Sequence, residues 1–157
     1  MTSTEDALYD HLQHQVALFA RRAEQTRMGG VGRQRNSMDR AAYLLLNRLE
    51  LEGPVGVKAL AESMGIDSST VTRQVAPLVE GGLVDRVPNP EDGRAVLLDL
   101  SQEGRRRLSE VRESRRELMR LLVSDWPRDD QAEFDRLLTR FNEALSSYHR
   151  PTGMPES

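Results

Sequence analysis

The 157-residue chain has no cysteine. That absence excludes disulfides, thiolate metal sites and redox sensing through cysteine oxidation. No apolar run approaches the roughly 20 residues needed to cross a bilayer. The opening MTSTEDALYD also lacks the basic and apolar regions of a secretory leader. The expectation is a cytoplasmic protein with no membrane partner. Lysine is nearly missing, with Lys58 alone beside the arginines. Positive charge is not in excess either: the formal net charge is −3, which by itself gives no support to nucleic-acid binding. Catalytic signatures are absent as well. No HExxH, P-loop, cysteine nucleophile or paired-carboxylate arrangement stands out, so the sequence points to no enzyme and requires no cofactor or metal.

What is present is concentrated between residues 54 and 100, PVGVKALAESMGIDSSTVTRQVAPLVEGGLVDRVPNPEDGRAVLLDL. Val57, Leu60, Ala61 and Met64 recur at helical spacing until Gly65 breaks the pattern. A second stripe follows, made of Val71, Val75, Leu78 and Val79. Asp67 is placed to cap this second helix by accepting a hydrogen bond from a first-turn N–H. Gly81-Gly82 stops it, because glycine takes the left-handed turn at little steric cost. Pro77 lies inside the helix, where it removes one hydrogen bond and can kink the helix if nothing compensates. Two short helices meeting at a glycine-containing turn form a helix-turn-helix. Leu83–Val87 can then pair with Ala95–Leu100 across a Pro88–Gly93 connection, in which Asp92-Gly93 is a hairpin signal. A helix-turn-helix followed by a β-hairpin is a winged helix, a DNA-binding architecture. The fold class expected is mainly α with a small β-hairpin wing.

These residues resemble the MarR family of bacterial winged-helix transcriptional regulators. The resemblance rests on SSTVTRQVAPLVEGGLVDR, on PNPEDGR in the wing and on the exit LDLSQEGRRRL, several motifs in one order over roughly half the chain. Two departures stand out: Val57, where the family often carries a polar residue, and Pro77. A third concerns chemistry. Part of the family senses oxidants through cysteine, and this chain cannot. The resemblance implies a ligand-responsive repressor that binds a near-palindromic operator as a homodimer, with a small-molecule effector of unidentified kind.

With Val71 and Val75 inward, the outward arc of the second helix holds Ser69, Thr72, Arg73 and Ala76, flanked by Thr70. The N-terminal part of a recognition helix enters the major groove. Arg73 is the long donor there, suited to guanine O6 and N7, and the more peripheral Gln74 can pair with adenine. Ser68, Ser69, Thr70 and Thr72 offer short hydroxyls for phosphates or a contact to thymine methyl, although serine and threonine also favour first turns for helix initiation alone. In the wing, Asp92 and Arg94 match the family pattern in which an arginine enters a narrow minor groove. Asp92 would orient Arg94 by a charge-assisted hydrogen bond. The bland alternative is an ordinary turn ion pair, worth little at a surface.

Charge qualifies this reading. Residues 54–100 hold four cations, Lys58, Arg73, Arg86 and Arg94, against seven carboxylates. Basic residues are denser upstream, where Arg21 to Arg48 holds seven arginines against Glu24 and Asp39, so Arg33, Arg35 and Arg40 are candidates for phosphate contact or simply a solvated face. The acidic balance leaves open an alternative function, a helical protein–protein interaction module that uses the winged helix without DNA.

The flanks are helical. Residues 4–26 carry a stripe of Leu8, Leu12, Val16, Phe19 and Ala23. His11 and His14 share a face but lack a third ligand, so a surface pair is the reading. Residues 28–37 form a glycine-rich connector whose Gly30-x-Gly32 lacks the strand and Gly-Lys-Ser/Thr of a phosphate loop. A helix over 38–50 turns Ala42, Leu45, Leu46 and Leu49 inward. Ser101 caps a long helix to about Ser124, with Leu108, Val111, Leu118, Leu121 and Leu122 on one side. After Trp126-Pro127 a last helix carries Phe134, Leu137, Leu138, Phe141, Leu145 and Tyr148. The organisation expected is a single domain over 1–157. It comprises a DNA-binding lobe at 38–100, dimerisation helices at 4–26 and 101–148, and a disordered tail at 150–157.

Overall fold

A computed structural model describes residues 3–26 and 38–149. The predicted connector with Gly30, Gly32, Arg33 and Arg35, and the tail at 150–157, lie outside the described residues. Among those described, six helices and one hairpin follow in order: α1 (Thr4–Gln25), α2 (Arg40–Glu52), α3 (Val57–Met64), α4 (Ser68–Glu80), β1 (Val84–Pro88), β2 (Val96–Leu100), α5 (Gln102–Leu122) and α6 (Arg128–His149). The chain is mainly α with a two-stranded wing, as its pattern predicts.

The core gathers the inward stripes. Ala42, Leu45, Leu46 and Leu49 of α2 pack with Leu60 and Ala61 of α3, Val71, Val75 and Leu78 of α4, and Val84, Leu98 and Leu100 of the hairpin. Fully burying each large aliphatic side chain contributes about 1.5–3 kcal/mol, so this cluster is what holds α4 in place. The core does not stop at residue 100. Leu108 belongs to it, and Val111 is fully buried too. The predicted stripe of α5 therefore divides: its first half packs on the lobe, whereas Leu121 and Leu122 are 67% and 54% exposed.

Both helices of the helix-turn-helix end in the same device. Gly65 at φ +67° lets Ile66 N–H reach the Ala61 carbonyl at 3.0 Å, and Gly82 at φ +76° lets Leu83 N–H reach the Leu78 carbonyl at 2.9 Å. These bonds satisfy orphan carbonyls of the last turn and fold Ile66 and Leu83 back onto the core. Gly81, predicted to share the left-handed turn, stays right-handed at φ −77°. The predicted cap at Asp67 is not made. Asp67 occupies the N-cap position with extended backbone, but its carboxylate accepts no first-turn hydrogen bond. Pro77 does not end α4, which continues to Glu80 with Gly81 N–H bonding the Pro77 carbonyl at 2.9 Å.

The strands pair antiparallel from Val84↔Leu100 to Pro88↔Val96. Beyond β2, Val55 adds an antiparallel bridge to Leu98 through bonds of 3.0 and 2.8 Å, so β2 is flanked on both sides. Where β2 ends, Ser101 both caps and ties. Its hydroxyl donates to the Gly82 carbonyl at 2.6 Å and accepts from Gly104 N–H at 2.9 Å, while its own N–H donates to the Leu83 carbonyl at 3.0 Å. A second tie joins α5 to α2. Arg112 Nη2 donates to Asn47 Oδ1 at 2.7 Å and Glu50 Oε1 at 2.8 Å. One turn later the Arg115 guanidinium lies 3.7 Å over the Tyr43 ring, and burial pulls it below the usual arginine value.

Candidate nucleic-acid interface

The outward arc of α4 is set by what α4 buries. With Val71, Val75 and Leu78 inside, Ser68, Ser69, Thr72, Arg73, Ala76 and Pro77 are exposed, and Thr70 and Gln74 are half-buried on the flanks. The arc matches expectation. The side chain of Gln74, on the flank, forms no hydrogen bond with another described residue. The hydroxyls are not equivalent. Thr72 Oγ1 donates to the Ser68 carbonyl one turn back at 2.9 Å, a bond threonine commonly makes in helices. Thr70 Oγ1 accepts from Arg73 Nη2 at 3.4 Å, beyond the usual range for an N–H···O bond, so it restrains the guanidinium only weakly. Ser68 and Ser69 keep their hydroxyls free among the described residues. Because Asp67 leaves the first-turn N–H groups uncapped, those backbone donors also remain available at the end of α4 where the helix dipole favours an anion.

The wing tip departs from the predicted hairpin. Gly93 is not among the glycines with positive φ, so Asp92-Gly93 does not form the mirror-image two-residue turn. Two turns stand there instead. Asn89 and Asp92 are bridged by Asp92 N–H to the Asn89 carbonyl at 3.2 Å, and Asp92 and Ala95 by Ala95 N–H to the Asp92 carbonyl at 3.0 Å. Each opens on a side-chain cap: Asn89 Oδ1 accepts from Glu91 N–H at 3.0 Å, and Asp92 Oδ1 accepts from Arg94 N–H at 3.1 Å. Asp92 therefore holds the backbone of Arg94. It makes no ion pair with the Arg94 guanidinium, which corrects the expected charge-assisted contact. The reason is local, since the carboxylate reaches the amide two residues on before it can reach the end of a long side chain.

Lys58, Arg73, Arg86 and Arg94 make no ion pair with any described residue. The arginines of α5, by contrast, pair mostly along their own helix or back to the lobe, as Arg106 does with Glu103 and Glu110, Arg116 with Glu113, and Arg112 with Glu50. The cations on α3, α4 and the wing are thus left for an external anion. Arg40 is exposed at the first position of α2. Sequence reasoning missed the Ser101 and Arg112 ties, because both join residues far apart in the chain.

A helix-turn-helix with unneutralised cations, continued by a β-hairpin, defines the winged-helix class of DNA-binding proteins. The sequence model of the MarR family matches residues 38–96. The HTH-type transcriptional regulator YxaD of Bacillus subtilis is 32% identical over 134 residues, covering 85% of this chain and 92% of that protein. Among solved structures, a probable transcriptional regulator from Pseudomonas aeruginosa is 29% identical with a TM-score of 0.65, covering 83% of this chain and 98% of its own. The PcaV transcriptional regulator of Streptomyces coelicolor, crystallised with its natural ligand, is 26% identical with a TM-score of 0.60, covering 92% and 94%. The chain belongs to the MarR family and is a DNA-binding transcriptional regulator. Among the described residues, no helix is long and apolar enough to cross a membrane.

Proposed function

We propose that this regulator is a homodimeric repressor that binds a near-palindromic operator and is released by a small molecule. The observation that carries the proposal is the state of α1 and α6. In α1, Leu8, Leu12 and Phe19 are 62%, 51% and 54% exposed, and Ala23 alone is buried. Helix α6 buries no residue, leaving Phe134, Leu137, Phe141 and Leu145 between 41% and 47% exposed. Contiguous apolar faces of this kind mark an interaction surface. A second copy is the occupant favoured by the prevalence of two-fold dimers and by family membership. A two-fold protein meets a two-fold operator, with the recognition helices entering successive major grooves about one helical turn apart. On this reading Arg73 and Gln74 read bases, Ser68, Ser69, Thr70 and Thr72 line the α4 contact, and Asp92 and Arg94 shape and insert the wing. The ligand complex of PcaV supports a small-molecule effector.

The test is binding to the DNA upstream of the protein's own gene, across a range of salt concentrations. Expected is a specific complex of two chains per site whose affinity falls steeply as salt rises. Equal affinity for unrelated DNA at every salt concentration would overturn operator reading.

A further inference from the structure

We infer that Thr72 and Ala76 form a methyl-reading strip on the recognition helix, selecting thymine by its C5-methyl group beside the base that Arg73 reads. The inference rests on the proposed operator reading and adds the base chemistry to it. Its first support is the Thr72 hydroxyl. That proton is donated to the Ser68 carbonyl at 2.9 Å, and a hydroxyl has a single proton to give. Phosphate oxygens only accept, so Thr72 cannot serve a phosphate without abandoning its helix bond. The oxygen can still accept, but towards thymine, which presents a carbonyl acceptor and a methyl group in the major groove, what the exposed side chain offers is its γ-methyl.

Ala76 supplies the second part. It is exposed on the same face, one turn further along, and side chains four apart on a helix have Cβ atoms about 5–6 Å from one another. Successive bases on a strand are about 3.4 Å apart, so the two methyl groups reach positions one or two steps from each other. Nothing bulkier interrupts them: Ser69 on the same arc is small, and Arg73 is the one long side chain among these exposed residues. Short side chains let the helix backbone approach the groove floor, where thymine alone presents a methyl group and where alanine and threonine methyls are its usual apolar partners. The division of labour is then chemical. Ser68 and Ser69 keep free hydroxyl protons for phosphates, Arg73 takes guanine, and Thr72 with Ala76 takes thymine.

The experiment selects an operator from a random-sequence library with the full chain, then replaces each thymine in turn by deoxyuridine, which removes the methyl and nothing else. Two thymines in each half-site, close to the guanine read by Arg73, should each show affinity reduced about fourfold, as expected for one buried methyl. Thr72→Ser keeps the hydroxyl and should erase the uracil penalty at one position only. Thr72→Val keeps a methyl and should retain it. Ala76→Gly should erase the penalty at the other position, and the mutant cycle against the DNA methyl removes any cost to the helix itself. If the operator is bound specifically but no thymine-to-uracil exchange changes affinity, the strip is wrong and operator reading survives. Loss of the penalty in Thr72→Val but not Thr72→Ser overturns it equally. A library from which no sequence is enriched overturns operator reading and the strip together.

Discussion

Gly104 has no room for a methyl group. A Cβ built there would lie 2.1 Å from the Leu83 carbonyl oxygen and 2.9 Å from Leu100 Cδ1. The carbonyl belongs to the backbone at the turn into β1 and also accepts Ser101 N–H, so it cannot swing aside alone. Gly104→Ala should therefore cost about 1–3 kcal/mol, as overpacking in a tight core does. The check is a lower urea midpoint with an unchanged slope. Arg73 makes the opposite prediction, for function without stability. It is exposed and only weakly held by Thr70 at 3.4 Å. Arg73→Ala should leave the urea midpoint in place and cost about 1–3 kcal/mol on the operator, with relaxed preference at one base pair per half-site. An equal loss on random DNA would reassign Arg73 to a phosphate.

Among the elements, the wing separates charge from geometry. Asp92 Oδ1 caps Arg94 N–H, a role asparagine performs equally well without the charge. Asp92→Asn should keep the wing and bind the operator at least as tightly as the parent, since it removes repulsion from phosphate. Asp92→Ala loses the cap, a bond worth about 0.5–1.5 kcal/mol, and should bind more weakly than the asparagine variant. Measured at one fixed salt concentration, an asparagine variant that binds more weakly than the parent would show that the carboxylate charge itself positions Arg94. The wing is also where sequence reading reached its limit. The apolar-rich runs 83–87 and 95–100, set on either side of a string of turn-forming residues, mark both strands to within a residue. The tip carries no such run, so a local competition decided it, and two side-chain caps displaced the turn that Asp-Gly suggests. Helix ends behaved similarly. Ser101 was legible as a cap from its place before the helical run. Asp39, whose Oδ1 accepts Ala42 N–H at 2.7 Å, was not singled out, and Asp67 caps nothing with its side chain. The selected face of α4 was legible in full, since Val71 and Val75 leave it only one orientation. That Thr72 spends its proton on Ser68 was not, because no spacing records the rotamer.

For the molecule as a whole, the prediction concerns the arms. Sedimentation at micromolar concentration should return a dimer, and Leu137→Glu should shift it toward monomer by placing a charge on the apolar face of α6. No residue of α6 belongs to the core, which is drawn from α2 to α5, so the variant should keep helical circular dichroism while losing operator affinity. A parent protein that sediments as a stable monomer sinks the dimer.

The ties at Ser101 have a mechanical consequence. They join the end of β2, the turn before β1 and the first turn of α5 at one point, and Gly104 packs there without clearance. With 21 residues, α5 is a rod about 30 Å long clamped at that end. Such a rod converts small angles into distances: swinging its free end by about 3 Å turns its base by only about 5° at that length. In the other direction it amplifies, so a slight rotation of the wing is reported far away as a displacement larger than a bond length.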